Sequence, residues 1–61
     1  MPLITIKILG EKTTEQKRNL VKHITEAVVK DFNDPPEVVT IDIVEMSPNN
    51  FAAAGQLFVD R

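Results

Sequence analysis

Apolar and polar residues alternate near the start of the chain, in the stretch from Leu3 to Leu9. Ile4, Ile6 and Ile8 occupy every second position, which places them on one face of a β-strand. The other face mixes apolar and polar side chains, namely Leu3, Thr5, Lys7 and Leu9. A mixed face of this kind often contacts another subunit as well as water. The pattern therefore predicts a strand that has neighbours on both sides.

A spacing of three and four residues follows and predicts one long helix. Thr13 and Gln16 have the spacing of a capping box at its start, and we expect the helix to end near Phe32. Asn33-Asp34-Pro35-Pro36 ends it, because the residue before a proline avoids the helical region and proline lacks the N–H donor. The apolar stripe consists of Leu20, Val21, Ile24, Ala27, Val28 and Phe32.

A second alternating stretch runs from Val39 to Met46 and predicts a second strand. The cluster Ser47-Pro48-Asn49-Asn50 is typical of a turn, and Gln56 to Val59 has the composition of a short terminal strand. The order strand, helix, strand predicts an α+β fold that consists of a β-α-β unit with parallel strands. A short C-terminal strand or hairpin completes a single domain over residues 1–61.

The length of the chain makes association with further copies the expected source of stability. A chain of 61 residues buries too little surface to be robust alone. It has no cysteine, so no disulfide can form, and 43% of its residues are apolar. Two β-α-β units could pair into a four-stranded sheet with helices on one side. We therefore expect a closed, symmetric homo-oligomer.

Charge and composition exclude several classes of function. The net charge is −2 with both signs mixed along the chain, which predicts no nucleic-acid partner. One histidine and no cysteine predict no metal site. The chain has no signal-peptide pattern and no apolar run of about 20 residues, so we expect no membrane partner and a cytoplasmic location.

Pro2 is the candidate catalytic residue. If Met1 is removed, the chain begins with a secondary amine that a ring holds at the start of a strand. While Met1 remains, the Pro2 nitrogen is an amide and cannot act as a base. The plain alternative is a proline at the start of a strand, a position where proline is tolerated.

Several segments, in this order and spacing, resemble the 4-oxalocrotonate tautomerase family. They are Met1-Pro2, the strand end Ile6-Lys7-Ile8-Leu9, the helix entry Thr14-Glu15-Gln16-Lys17, the helix body Leu20 to Val28, Glu45-Met46, and Phe51 before the segment that ends at Gly55. The resemblance implies the β-α-β tautomerase fold and assembly as a hexamer, a trimer of dimers. It also implies cofactor-independent isomerase chemistry, in which the N-terminal proline is the general base for enol–keto tautomerisation of an unsaturated 2-hydroxy or 2-oxo acid.

The same resemblance implies three substrate-binding positions, namely Lys12, Thr40 and Phe51. Members of the family commonly carry an arginine in the loop after the first strand, where Lys12 keeps the charge but loses the planar fork. They commonly carry a second arginine early in the second strand, where Thr40 has no charge. Phe51 is expected to line a pocket at an interface. We therefore expect weaker activity on a dicarboxylate such as 2-hydroxymuconate than on a monoacid enol such as phenylenolpyruvate.

Two alternatives remain open from the sequence. The chain could be a hydratase-like or dehalogenase-like relative, or a non-catalytic partner subunit of a mixed hexamer in which another chain supplies the missing arginine. Other titratable residues offer no clear site. His23 lies mid-helix and is expected at the surface, and Asp42 and Glu45 point to opposite faces of the second strand.

Overall fold

The computed structural model describes residues 1–61 and contains the expected β-α-β unit. Strand β1 spans Leu3–Leu9, helix α1 spans Thr14–Phe32, and strand β2 spans Thr40–Met46. The two strands are parallel, with Leu3 opposite Thr40 and Leu9 opposite Met46. The predicted strand–helix–strand order and the parallel pairing are therefore confirmed.

Both ends of α1 are fixed by local hydrogen bonds. At the start, the Gln16 N–H donates to Thr13 Oγ1 at 3.1 Å, and the Thr13 N–H donates to Gln16 Oε1 at 3.0 Å. This is the predicted capping box. At the end, Asn33 adopts a left-handed conformation with φ 59°, and its N–H donates to the Val29 carbonyl at 3.0 Å. Asparagine tolerates this conformation better than most residues, so the helix can end there.

One face of the two-stranded sheet is turned toward the helix. Glu45 of β2 reaches Lys17 of α1, with 2.6 Å between Oε1 and Nζ. Because side chains alternate along a strand, Ile41 and Ile43 share the face of Glu45. The three isoleucines of β1, which pair with this row, are half-buried, whereas the residues between them are exposed. This face therefore forms the small apolar core between sheet and helix.

The C-terminal segment forms a short antiparallel hairpin. Strands β3, Ala52–Ala53, and β4, Gln56–Leu57, are joined by Ala54 and Gly55, which have φ values of 54° and 77°. Positive φ at both positions is typical of a two-residue type I′ turn, a geometry that favours glycine. Single turns of 3₁₀-helix cover Pro48–Asn50 before the hairpin and Phe58–Asp60 after it.

Two predicted strands extend beyond the observed ones, β2 by one residue at its start and the terminal strand by two residues at its end. Val39 does not begin β2, because its N–H donates to the Pro36 carbonyl at 3.2 Å and closes the 3₁₀ turn Pro36–Val38. The terminal strand does not reach Val59. It stops at Leu57 because the chain enters the 3₁₀ turn Phe58–Asp60, which the Arg61 N–H closes by donating to the Phe58 carbonyl at 3.2 Å.

The single chain is extended and leaves much apolar surface in contact with water. Its accessible surface is 4759 Å², against about 3950 Å² for a compact protein of this mass. Its radius of gyration is 14.9 Å, against about 10.5 Å for a compact domain of this length. No side chain is fully buried, and Leu3 and Phe32 are 76% and 66% exposed. Such a surface favours association. The structure has no helix of the length and apolarity needed to cross a membrane.

Candidate active site

Pro2 lies at the start of β1 and is held against the first residue of β2. Its carbonyl accepts a hydrogen bond from the Thr40 backbone N–H at 3.1 Å and a longer one from Thr40 Oγ1 at 3.4 Å. Pro2 is half-buried, whereas Met1 before it is 80% exposed. We call Pro2 and Thr40 the proline end of the sheet. Removal of Met1 would leave an amine whose position the Thr40 bonds already fix.

Lys12 lies beyond the opposite end of β1, in the loop that leads to α1. Its backbone N–H donates to Glu45 Oε2 at 3.3 Å, while Lys17 Nζ binds the other oxygen, Oε1. The Lys17 hydrogen bond, followed by the Lys12 N–H bond, lowers the pKa of Glu45 from its ordinary value of 4.5, although partial desolvation opposes the shift. The Glu45 carboxylate therefore ties the loop that carries Lys12 to the start of the helix.

Phe51 belongs to an aromatic cluster at the hairpin. Its ring packs edge-to-face against that of Phe58, with 4.7 Å between ring centroids and 79° between planes. The Arg61 guanidinium lies over the other ring, with Cζ 4.4 Å from the Phe58 centroid, and Nη2 donates to the Ala53 carbonyl at 3.0 Å. Sequence reasoning missed Phe58 and Arg61, because only the two-residue turn brings them back to Phe51.

We call Lys12, Phe51, Phe58 and Arg61 the aromatic end. These residues follow the carboxyl ends of β1 and β2, whereas the proline end lies at the amino ends, with Pro2 just before β1 and Thr40 as the first residue of β2. Seven-residue strands span about 20 Å, and the four residues between Met46 and Phe51, three of them in a 3₁₀ turn, are too few to return over that distance. Within one chain, the structure therefore brings Pro2 together with Thr40 but not with Lys12 or Phe51.

The titratable residues Asp42, Glu45 and His23 do not come together in a second site. Asp42 accepts a hydrogen bond from Thr5 Oγ1 at 2.9 Å on the face away from the helix, while Glu45 lies on the other face. The prediction that they do not form a carboxylate pair is confirmed. His23 is exposed on α1, as expected. No group of three or more His, Asp or Glu side chains could hold a metal ion, and the single chain encloses no pocket.

Comparison with known proteins shows what kind of protein carries this arrangement. The family model described as "tautomerase enzyme" matches residues 2–61, a range that contains all the candidate site residues. The chain belongs to the tautomerase family. The relationship predicted from the sequence is confirmed, and the family consists of enzymes whose reaction is an isomerisation.

Individual relatives of this chain agree with that assignment. A 2-hydroxymuconate tautomerase of Bacillus subtilis is 42% identical over 60 residues, which are 98% of this chain and 97% of the relative. A solved structure of a 4-oxalocrotonate tautomerase isozyme from Methylibium petroleiphilum is 42% identical and superposes with a TM-score of 0.86, covering 97% of this chain and 92% of the other. A heterohexameric 4-oxalocrotonate tautomerase from Chloroflexus aurantiacus is 28% identical, with a TM-score of 0.83 over 98% and 97% of the two chains.

Proposed function

We propose that this tautomerase catalyses the enol–keto tautomerisation of an unsaturated 2-hydroxy or 2-oxo acid, with the Pro2 amine as general base after removal of Met1. The observation that carries the proposal is the position of Pro2. It begins a strand, and two hydrogen bonds from Thr40 to its carbonyl hold it in place, in a chain of the tautomerase family. No metal or organic cofactor takes part in the proposed reaction.

The proposed chemistry is a proton transfer within one substrate molecule. The neutral amine removes a proton from the enol oxygen or from a carbon, and the resulting ammonium returns it to another carbon. A general base works best when it is partly unprotonated at neutral pH, and contact with apolar side chains disfavours the charged form of an amine. Phe51 is suited to supply such contact, and Lys12 Nζ is suited to bind the carboxylate beside the reacting carbonyl.

We propose further that each site is shared between copies of the chain in a homo-oligomer, most simply a hexamer. The distance of about 20 Å between the proline end and the aromatic end supports this, because no single small acid can contact both ends of one chain. The exposed Leu3 and Phe32 side chains and the extended shape of the single chain also favour association. The heterohexameric relative has the same fold.

Replacement of the ring-held Pro2 amine provides the test. Mass spectrometry of the intact chain establishes whether Met1 is absent, and ketonisation of phenylenolpyruvate, followed by absorbance, measures activity. Replacing Pro2 with alanine leaves a primary amine that no ring holds in position, and should lower kcat/KM by about 10- to 100-fold through the loss of orientation. Pro36→Ala is the matched control, since Pro36 lies in an exposed turn. Full activity of the Pro2→Ala variant would show that the proline mechanism is wrong.

A second candidate is a non-catalytic partner subunit in a mixed hexamer. Two observations favour it, namely the uncharged Thr40 at the proline end and the existence of a heterohexameric relative. In that case another chain would supply the missing cation, and the purified chain would be inactive on both phenylenolpyruvate and 2-hydroxymuconate. A homo-oligomer of this chain alone that ketonises either substrate would exclude this candidate.

A further inference from the structure

The chain contains two arginines, and their surroundings differ. Arg18 lies on the exposed surface of α1, where Nη1 is 3.0 Å from Glu15 Oε2. The other ion pair in the structure joins Lys17 and Glu45. Arg61 is therefore the one arginine whose guanidinium has no Asp or Glu partner, and its positive charge is available to a carboxylate from outside the chain.

Arg61 is nevertheless held in place. One of its N–H groups donates to the Ala53 carbonyl at 3.0 Å, and its planar guanidinium lies 4.4 Å from the centroid of the Phe58 ring. A guanidinium has five N–H donors, so this arrangement leaves others free. Stacking on an aromatic ring restricts the side chain and leaves its fork suited to bidentate binding of a carboxylate.

The anchored guanidinium is close to the candidate pocket residue Phe51. The Phe58 ring links them, because it contacts both Phe51, at 4.7 Å between centroids, and Arg61. The two steps place the guanidinium within about 9 Å of the Phe51 ring centre, so a small acid that packs against Phe51 is within reach of Arg61. The proline end offers no charged side chain, since its second residue is Thr40.

We infer that Arg61 binds the distal carboxylate of a dicarboxylate ligand at the aromatic end, while Lys12 binds the carboxylate next to the reacting carbonyl. This inference deepens the proposed function and depends on it for the identity of the ligand. Arg61 is then a specificity-determining residue, because a monocarboxylate has no group for it to bind. Removal of the Arg61 side chain should weaken the binding of dicarboxylates selectively, whereas removal of the Lys12 side chain should weaken the binding of both classes of acid.

The test uses two unreactive acids that differ in a single carboxylate, muconate with two and sorbate with one. Calorimetry measures the Kd of each for the assembled wild-type protein and for the Arg61→Met, Arg61→Lys and Arg18→Met variants. In Arg61→Met, the Kd of muconate should rise about 10-fold or more, as expected for a lost charge-assisted hydrogen bond, while that of sorbate stays within about 2-fold. Arg18→Met is the matched control and should change neither, since its guanidinium is paired with Glu15 on the exposed surface of α1.

Each outcome decides the inference. If Arg61→Met weakens the binding of muconate and sorbate equally, Arg61 has a structural role in the hairpin and the inference is wrong. The inference is also wrong if Arg61→Met does not weaken the binding of muconate, or if the wild-type protein does not bind muconate. If Arg61→Met alters the oligomer, the Arg61→Lys variant takes its place in the test. Lysine keeps the charge but lacks the planar fork, so the binding of muconate should weaken more than that of sorbate. The proposed function fails separately. Full activity of Pro2→Ala would overturn proline catalysis even if muconate binding depends on Arg61.

Discussion

The proline end and the aromatic end hold their candidate site residues by different kinds of bond. At the proline end, a backbone hydrogen bond of 3.1 Å from the Thr40 N–H fixes the Pro2 carbonyl, and the Thr40 hydroxyl adds only a longer contact. At the aromatic end, side chains hold the structure together: Glu45 binds the loop of Lys12, and stacked rings support Arg61. The first arrangement belongs to the sheet itself, whereas the second depends on which side chains are present.

This difference separates two requirements of the chemistry. A base must be placed accurately, and its position here follows from the pairing of β1 with β2. Recognition of the substrate depends on charge and shape, and the cations near the site are Lys12 and Arg61, at the far end of the same chain. Because about 20 Å of sheet lies between the two ends, one site can combine the base of the proline end with the cations of the aromatic end only if two chains contribute to it.

Mixing two impaired variants gives the largest expected effect. Pro2→Ala and Lys12→Met should each lower kcat/KM by about 10- to 100-fold, the first because no ring holds the alanine amine in position, and the second because it removes one charged contact. If the base and the cation of one site come from different chains, random co-assembly of the two variants in equal amounts should restore about a quarter of wild-type activity. Ketonisation of phenylenolpyruvate after co-refolding measures the recovery.

Two controls accompany the mixing experiment. Co-assembly of wild-type chain with Pro2→Ala should give about half of wild-type activity, because each chain supplies one base. Mixing the two variants without exchange of subunits should give only the mean of their separate activities. If co-assembled variants also give no more than that mean, the base and the cation come from the same chain, and the separation of the two ends has no catalytic meaning.

A cation introduced at the proline end should have the next largest effect. The wild-type protein should have a higher kcat/KM for phenylenolpyruvate than for 2-hydroxymuconate, because Thr40 supplies no charge at the proline end and Arg61, which binds the distal carboxylate, offsets only part of that loss. Thr40→Arg should raise kcat/KM for 2-hydroxymuconate by about 10-fold, the effect of one charged hydrogen bond, with little change for phenylenolpyruvate. Steady-state kinetics on both substrates measures the ratio.

The controls for Thr40→Arg separate charge from position. Asn19→Arg adds the same charge on an exposed part of α1 and should leave the ratio unchanged. Thr40→Val removes the hydroxyl contact of 3.4 Å but keeps the backbone bond to Pro2, so both substrates should lose less than about 3-fold. Equal efficiency of the wild-type protein on the two substrates would contradict the role given to Thr40.

Local signals in the sequence were sufficient for the β-α-β unit but not for the aromatic end. The capping pair Thr13 and Gln16, three residues apart, determines the start of α1, and alternating isoleucines determine β1. The contact between the Lys12 N–H and Glu45 joins residues 33 positions apart, so no local pattern indicates it. The sequence predicts Phe58 as part of a strand. Its ring reaches Phe51 only through the pairing of the hairpin, which the residues next to Phe58 do not indicate.

The smallest expected effect is an acid-induced loosening confined to the aromatic end. Because the pKa of Glu45 is lowered in the folded protein, its contribution to stability is complete above its ordinary value of 4.5 and is lost as pH falls through the lowered pKa. In an NMR titration, the amide of Lys12 should shift over that range, while the amide of Thr40, bonded to a carbonyl, should not. Glu45→Gln should abolish the Lys12 transition and lower Tm at neutral pH by no more than about 5 °C, since the pair with Lys17 is partly exposed.

A Lys12 transition that persists in Glu45→Gln would mean that another group holds this loop. Parallel shifts of Lys12 and Thr40 would mean that the two ends respond to acid as one unit, so that the contrast between backbone and side-chain anchoring does not hold in solution.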